Sequence, residues 1–308
     1  MKTYKELLND VVNHSKLRKP TIEEAKAIKA CTLEFFDKLQ NLCKQNHLSL
    51  FMGGGSALGT VRHKGFIPWD DDMDLMMARP EYDRLIELLE EGALGDNYEF
   101  TYPNKKKDSP FTWLKIYQKD TLMVDINGVY PNYPNGLAID VFPIEGVPAN
   151  KIIRQIKGTL SNSLRLIANM VFNAELQDNS ILQQLYNQDK RLKRMMRIRK
   201  LLGHLFLLIM SHRRWVYLFD VFAKDSDMNS FVGVPTGRKL YMGESQPAEV
   251  FFPPRKGLFE GREVLVPANV EQYLTSLYGD YMWIPQEEKR ESHLLVDIKI
   301  PERYYCKE

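Results

Sequence analysis

Apolar residues recur at helical spacing from Thr21 to Asn46, opened by Pro20 and Thr21, and the same period returns from Pro80 to Glu91. Short apolar runs between and beyond these stretches predict strands at 48–52, 72–77, 97–102, 111–118, 121–126 and 137–142. The first 150 residues therefore read as a mixed α/β core. From Asn150 to Ala223 long helical patterns dominate, broken near Asp178 to Ser180, and no internal repeat is visible. After a glycine- and proline-bearing stretch at 233–257, a hairpin-like segment from Leu258 to Val266 and a helix from Asn269 to Leu277 close the chain. The expected organisation is a catalytic core over 1–150, a helical region over 151–235 that is a candidate face for an acceptor or a membrane, and a segment over 236–308 that packs back on the core.

Composition narrows the class. With 308 residues, 44% of them apolar, the chain can bury one large core or two smaller ones. A formal charge of +2 gives no global drive toward nucleic acid, and none is expected as a partner. Cys31, Cys43 and Cys306 make an odd count without metal-type spacing, the pattern of reduced thiols in a cytoplasm. Met1 to Pro20 is polar and charged rather than apolar, unlike a secretion signal, and no run reaches the roughly 20 apolar residues that span a bilayer. The expectation is a cytoplasmic protein. Lys190 to Lys200 is densely basic, however, and no acid occurs from Lys190 to Phe219. A helix of that kind either lies on an anionic membrane surface or packs on the domain with a solvated basic face.

The chemistry concentrates between Met52 and Met77. Gly53, Gly54 and Gly55 follow the apolar run Leu48 to Met52, so a strand ends in a turn whose backbone amides can approach an anion closely. Ser56 stands where a helix would begin, with a hydroxyl and the positive end of the peptide dipoles to offer a phosphate oxygen. Taken alone, the same residues equally describe a tight turn with an ordinary serine cap, and neither a Walker lysine nor a dinucleotide fingerprint is completed. The following acids shift the balance. In Trp69-Asp70-Asp71-Asp72-Met73-Asp74-Leu75, alternation along a strand would bring Asp70, Asp72 and Asp74 to one face, where a divalent cation would relieve their repulsion. Mg2+ suits such a site, with Mn2+ as the alternative, because it takes one or two carboxylates and completes its shell with water and substrate phosphate. A calcium loop of the EF-hand type is excluded by Leu75 at the position that needs glycine. Asp140, a lone acid in Leu137-Ala138-Ile139-Asp140-Val141-Phe142-Pro143, is the preferred third carboxylate at the end of its strand; Asp125 competes, and a salt bridge would explain either one.

The run Gly-Gly-Ser-Ala-Leu-Gly-Thr-Val-Arg-His-Lys-Gly-Phe-Ile-Pro-Trp-Asp-Asp-Asp-Met-Asp from Gly54 to Asp74 resembles the signature of the LicD family. Ile139-Asp140-Val141-Phe142-Pro143 and the stretch from Tyr278 to Pro285, with Gln286 to Arg290 and His293 after it, resemble the family too, whereas 150–235 resembles nothing in particular. The resemblance implies a nucleotidyltransferase-like α/β (α+β) fold, a mixed sheet flanked by helices with a largely helical second region. It implies transfer of phosphocholine from CDP-choline onto a bacterial surface glycan such as lipopolysaccharide, teichoic acid or capsule, or onto its lipid-linked precursor. By position, Gly55 and Ser56 would form the turn, with Gly54 beside them; Asp72 and Asp74 would be the metal pair and Asp140 the third acid, in catalysis as in metal binding. Spacing does not separate this outcome from transfer of a nucleoside monophosphate to a sugar or small molecule, and a silent glycan- or nucleotide-binding protein would keep the same fold.

Arg62, His63 and Lys64 lie one to two helical turns past Ser56, where they either meet phosphate oxygens or form a solvated helix end. His293 is assigned to substrate positioning. A quaternary ammonium needs aromatic faces, and Trp69, Tyr102, Trp113, Tyr117, Tyr130, Tyr133 and Trp283 are available for one. A peripheral membrane contact through 190–219, at the inner face of the cytoplasmic membrane, would suit a lipid-linked acceptor.

Overall fold

The computed structural model describes residues 17–125, 133–175, 190–287, 290 and 294–305. Helix α1 (Ile22–Gln45) starts where the sequence predicts: the Thr21 hydroxyl accepts the Glu24 amide at 3.1 Å while the Glu24 carboxylate accepts the Thr21 amide at 2.8 Å, closing a capping box. Its buried stripe, Ala27, Ile28, Cys31, Phe35, Leu39 and Leu42, faces the central sheet. Burial pushes the Cys31 thiol up to about 11 and the Cys43 thiol up to about 12, so both are inert packing groups; Cys306 lies outside the described residues.

The sheet runs in the order β3-β4-β6-β2-β1-β10-β9, with β7 and β8 extending it from β6. Its strands are β1 (Phe51–Met52), β2 (Asp74–Ala78), β3 (Tyr98–Thr101), β4 (Leu114–Gln118), β6 (Ala138–Val147), β7 (Phe231–Gly233), β8 (Gln246–Pro247), β9 (Arg255–Phe259) and β10 (Arg262–Val266), while β5 (Leu122–Asp125) pairs separately with β11 (Leu295–Lys299). The expected hairpin at 258–266 is β9–β10, and β10 joins the core sheet beside β1 in parallel register. Helices α2 (Gly54–Arg62) and α3 (Arg79–Glu90) flank β2; α4 (Lys151–Glu175), α5 (Lys190–Ile209) and α6 (His212–Ala223) form the helical region; the short α7 (Leu240–Glu244) and α8 (Val270–Tyr278) lie in the C-terminal part. The expected break at 178–180 falls outside the described residues.

Strands β1 and β4 each begin three residues later than the expected 48 and 111, and two further departures bear on the site and the core. Strand β2 begins at Asp74 rather than at residue 72, so Asp70 and Asp72 sit on irregular chain leading into it. Strand β6 does not end before Pro143 but continues through it to Val147. Proline lacks an amide hydrogen, yet pairing with β4 stops at Leu114↔Val141, two residues earlier, so one side of the strand asks for no donor there. The extension matters because it carries Glu145 into the core. There the Arg79 guanidinium, 2% exposed, donates from Nε to Glu145 Oε1 at 2.7 Å and from Nη2 to Asp220 Oδ1 at 2.7 Å, tying β6, the start of α3 and α6 together.

His212 opens α6 and is packed 4.9 Å from the Phe172 ring, with Nδ1 buried and unbonded among the described residues. Burial pushes its pKa down to about 4 from the usual 6.5. The folded protein thus binds this proton less well than the unfolded chain, so the stability His212 permits is complete above pH 6.5 and is lost as pH falls toward 4. The loss amounts to about 3 kcal/mol across that window. Urea melts at pH 7 and pH 4.5 should show the slope, and it should flatten in His212→Phe; an equal slope in the variant removes the assignment.

Candidate active site

Parallel pairing of β2 with β6 sets Asp74 beside Asp140, and antiparallel pairing of β4 with β6 sets Lys115 on the other side of Asp140. Side chains of one face alternate along each strand, so Lys115, Asp140 and Asp74 form a row across three strands. Lys115 Nζ stands 2.9 Å from Asp140 Oδ1 and 3.0 Å from Oδ2; only the Oδ2 contact has hydrogen-bond geometry, which leaves Oδ1 buried without a hydrogen bond. Burial works against the Lys115 ammonium, but Asp140, Asp72 and Asp74 together hold its pKa above the ordinary lysine value. Asp74 is driven far above the usual carboxylate range, first by burial and then by the charges of Asp72, Asp140 and Asp70.

The glycine turn packs directly on this row. Gly54 has φ +43°, and a Cβ there would lie 2.9 Å from Asp74 Oδ2; one on Gly55 would lie 3.0 Å from Asp70 Oδ2. Glycine is needed because carboxylates approach the backbone itself. Ser56, expected at the helix start, lies within the first turn of α2, whose cap is Gly53; its hydroxyl oxygen accepts the Asp74 amide at 2.9 Å. The Gly54 amide is taken by Tyr273 Oη at 3.0 Å, while the amides of Gly55 and Ser56 belong to the first turn, where no intrahelical carbonyl can satisfy them. An anion held at this turn would therefore meet those two donors and the positive end of α2.

A cavity of about 740 Å3 opens at the turn, lined by Gly54, Gly55, Asp70, Asp72 and Asp74 together with Arg165, Arg238 and Tyr278. A second cavity of about 180 Å3 lies beyond Asp72 and is lined by Lys115, Asp125 and Asp140. Asp125, the competitor of Asp140, sits on β5 in the separate small sheet, whereas Asp140 is the acid placed beside Asp74. Arg62 lines the larger cavity but donates to the carbonyls of Tyr281 at 2.8 Å and Trp283 at 3.2 Å, and from Nε to His63 Nε2 at 2.9 Å, fastening the C-terminal segment over the opening. Burial and then the Arg62 charge hold the His63 pKa below its usual value. Lys64, at φ +59°, turns the chain toward β9 and is not among the residues lining the cavity. His293 and Tyr130 lie outside the described residues.

Among the described residues no three His, Cys, Asp or Glu side chains converge tightly enough to grip an ion as they stand. Mg2+ does not require that, since one or two carboxylates suffice and substrate oxygens complete the shell. The donor set fits a hard cation: oxygen ligands only, a buried carboxylate repelled by three others, and an Asp140 oxygen without a hydrogen bond.

Residues 47–150, which hold the glycine turn, the Asp-x-Asp pair and Asp140, match the family described as LicD/FKTN/FKRP, nucleotidyltransferase domain. Over that span the chain is similar to the LicD nucleotidyltransferase domain. It is 28% identical over 292 residues to the lipopolysaccharide cholinephosphotransferase LicD of Haemophilus influenzae, covering 92% of this chain and 100% of that protein. The similarity to that relative thus reaches well past the LicD domain into the helical and C-terminal parts.

Three groups of this site escape reading from the sequence. Lys115 is a lone cation in the apolar run Leu114-Lys115-Ile116-Tyr117, a signal of the same kind as Asp140. Arg165 comes from the region without a recognisable motif and Arg238 from just beyond it, and nothing local marks either one. Arg165 donates to the carbonyls of Pro235 at 3.2 Å and Gly237 at 3.0 Å, which holds the loop bearing Arg238 against the cavity.

Proposed function

We propose that this protein transfers a phospho-alcohol, phosphocholine, from CDP-choline to a hydroxyl of a lipopolysaccharide-type bacterial surface glycan or its lipid-linked precursor. The relative's activity supports the choice of group and acceptor class. The observation that carries it is the row Lys115–Asp140–Asp74, whose Asp74 lines a cavity walled by a helix N-terminus and arginines while Lys115 and Asp140 line the smaller cavity next to it, with Asp72 in the lining of both. The donor's diphosphate would be met by the Gly55 and Ser56 amides of the helix's first turn and by Arg238, groups that complement its charge. Asp72 and Asp74, with Asp140 as third acid, would hold Mg2+ or Mn2+, which when bound neutralises charge on the phosphate oxygens.

In the reaction the acceptor oxygen bonds to the choline-bearing phosphorus, the bond from that phosphorus to the bridging oxygen breaks, and CMP leaves. Asp140 either completes the cation's shell or accepts the hydroxyl proton, general-base work worth ~10²–10⁴-fold, and the Lys115 ammonium 3.0 Å from its Oδ2 holds it in place. The test is incubation with CDP-choline, Mg2+ and a lipopolysaccharide-type glycan, scoring CMP and glycan-bound phosphocholine together. Release of pyrophosphate from CTP with a nucleotide left on the acceptor would replace this reading by nucleotidyl transfer.

A lipid-linked acceptor would be met at a membrane surface, the inner face of the cytoplasmic membrane, and α5 is the element suited to it. No described helix is long and apolar enough to cross a bilayer. Gly203 packs against the Met170 carbonyl of α4, while Ile198, Leu201, Leu205 and Leu208, 48%, 62%, 52% and 84% exposed, form a stripe on the opposite side. Arg194, Arg197 and Arg199 lie about that stripe without an acid in the helix. The protein should therefore float with vesicles containing phosphatidylglycerol and not with pure phosphatidylcholine, and Leu201→Glu/Leu205→Glu should abolish flotation. Equal flotation of the double variant would dismiss the contact.

A further inference from the structure

The row of charged residues has an apolar neighbour on the same face of the sheet. Two residues along from Asp74 and Asp140 stand Met76 and Phe142, paired with each other as the two acids are. Continuing the β4–β6 register by one residue sets Trp113 beside Phe142, and the two rings lie 5.1 Å apart at 37°. Trp113 and Phe142 both line the 740 Å3 cavity. A step of two residues along a strand is ~6.6 Å, so the ring pair is displaced from the carboxylates by about the reach of a short alcohol chain.

We propose that Trp113 and Phe142 seat the quaternary ammonium of the transferred group, with its phosphate on the adjoining acid row. This inference rests on the phosphocholine reading and adds to it the residues that select the alcohol. A trimethylammonium has no N–H to donate, so hydrogen-bond acceptors cannot distinguish it, whereas ring faces attract its spread positive charge and its methyl groups bury against them. A primary ammonium loses its hydrogen bonds to water on the same rings and gains none.

The other aromatic candidates are placed differently. Of the remaining residues read from the sequence, Trp69 and Trp283 also reach this cavity. The Trp69 ring is already engaged by Arg290 at 4.4 Å, with Arg62 at 5.9 Å, and Trp283 is 54% exposed. Tyr102 and Tyr117 line other cavities. Tyr273, unread in the sequence, is buried with its hydroxyl between the Gly54 amide and Met76 Sδ. Trp113 has one further mark: its indole Nε1 is buried with no hydrogen-bond partner among the described residues, a donor aimed at no protein acceptor. The cation of Lys115, one step away, is neutralised locally by Asp140 and does not oppose a second cation on the rings.

The experiment is calorimetric titration of the full chain with CDP-choline and with CDP-ethanolamine, each with Mg2+, reading the ratio of the two affinities within each variant. Wild type should favour the choline compound by about 10- to 30-fold, the size of a desolvated cation–π contact. Trp113→Leu and Phe142→Met should bring the ratio close to one, while Trp113→Phe, which keeps a ring face, should retain most of it. Because the ratio is taken on one preparation, partial unfolding cancels, and the wild-type ratio and Trp113→Phe decide the matter even where a variant does not fold. A wild-type ratio near one, no binding of either compound, or an unchanged ratio in Phe142→Met overturns the seat. Selective binding without CMP release onto any glycan would instead overturn the transfer reading and leave the seat standing.

Discussion

Asp74→Asn is expected to slow transfer by about 10³-fold or more, and to make the metal-free protein harder to melt. The rate loss would follow from removing a proposed ligand to a cation that would stabilise charge on the transferring phosphate, where several kcal/mol are at stake and ~4 kcal/mol is ~10³-fold. The gain in stability follows from the site's own repulsion: Asp74 is buried among Asp72, Asp140 and Asp70, with Lys115 as an opposing charge that offsets them only in part. Its raised pKa means that the folded protein binds this proton more tightly than the unfolded chain. Stability without metal should therefore rise as pH falls from the raised value toward 3.8, and decline above it. Asparagine has no such slope, and added Mg2+ should reverse it in the parent by favouring the ionised carboxylate. Rates together with melting curves from pH 4 to pH 8, with and without a chelator, test both halves. A variant within tenfold of the parent rate would remove the metal pair from the mechanism.

Arg79→Met should cost the fold ~3–5 kcal/mol, the largest stability effect expected in this chain. The charge itself is not what stabilises; its removal strands Glu145, 1% exposed, and leaves Asp220, 14% exposed, with only the weaker influence of Lys224 to balance it. Burial opposes the guanidinium charge, but Glu145 and Asp220 outweigh that and hold its pKa above the usual arginine value. The combination Arg79→Met/Glu145→Gln/Asp220→Asn removes the stranded charges, leaving Asp83 with Lys224 at 2.7 Å, and should recover a large part of the loss. An amide oxygen in place of the Glu145 carboxylate can still accept the Asp225 amide, which Glu145 accepts at 2.9 Å. Urea denaturation of the single and triple variants makes the comparison. A triple variant as unstable as the single one would show that packing, not stranded charge, sets the cost.

Legibility in the sequence tracked how local each signal is. The core helices at 22–45 and 79–90 begin and end within a residue of their expected bounds, because amphipathic period, proline and capping residues act over a few positions. The strands were legible as apolar runs, but their ends were not. Strand β2 was expected to carry Asp72 and starts only at Asp74, and β6 was expected to stop at residue 142 and runs on to Val147. Ends depend on where a neighbouring strand stops pairing, which a run of apolar residues does not encode. Ser56 likewise was legible as a residue of the turn, while its partner, the Asp74 amide 18 residues on, was not.

What the sequence by itself determined is the chemical inventory and its local order: three glycines before a serine, acids at alternate positions, and a lone aspartate in a later apolar strand. What only the tertiary structure decided is adjacency. Parallel pairing brought Asp74 to Asp140, antiparallel pairing brought Lys115 to Asp140 and left Trp113 against Phe142 just past its end, and the helical region and the loop after β7 delivered Arg165 and Arg238 to one cavity. The physical reason is that side-chain type and spacing are properties of short stretches, whereas register and burial are set by the whole core, and charge means something different once it is buried beside another.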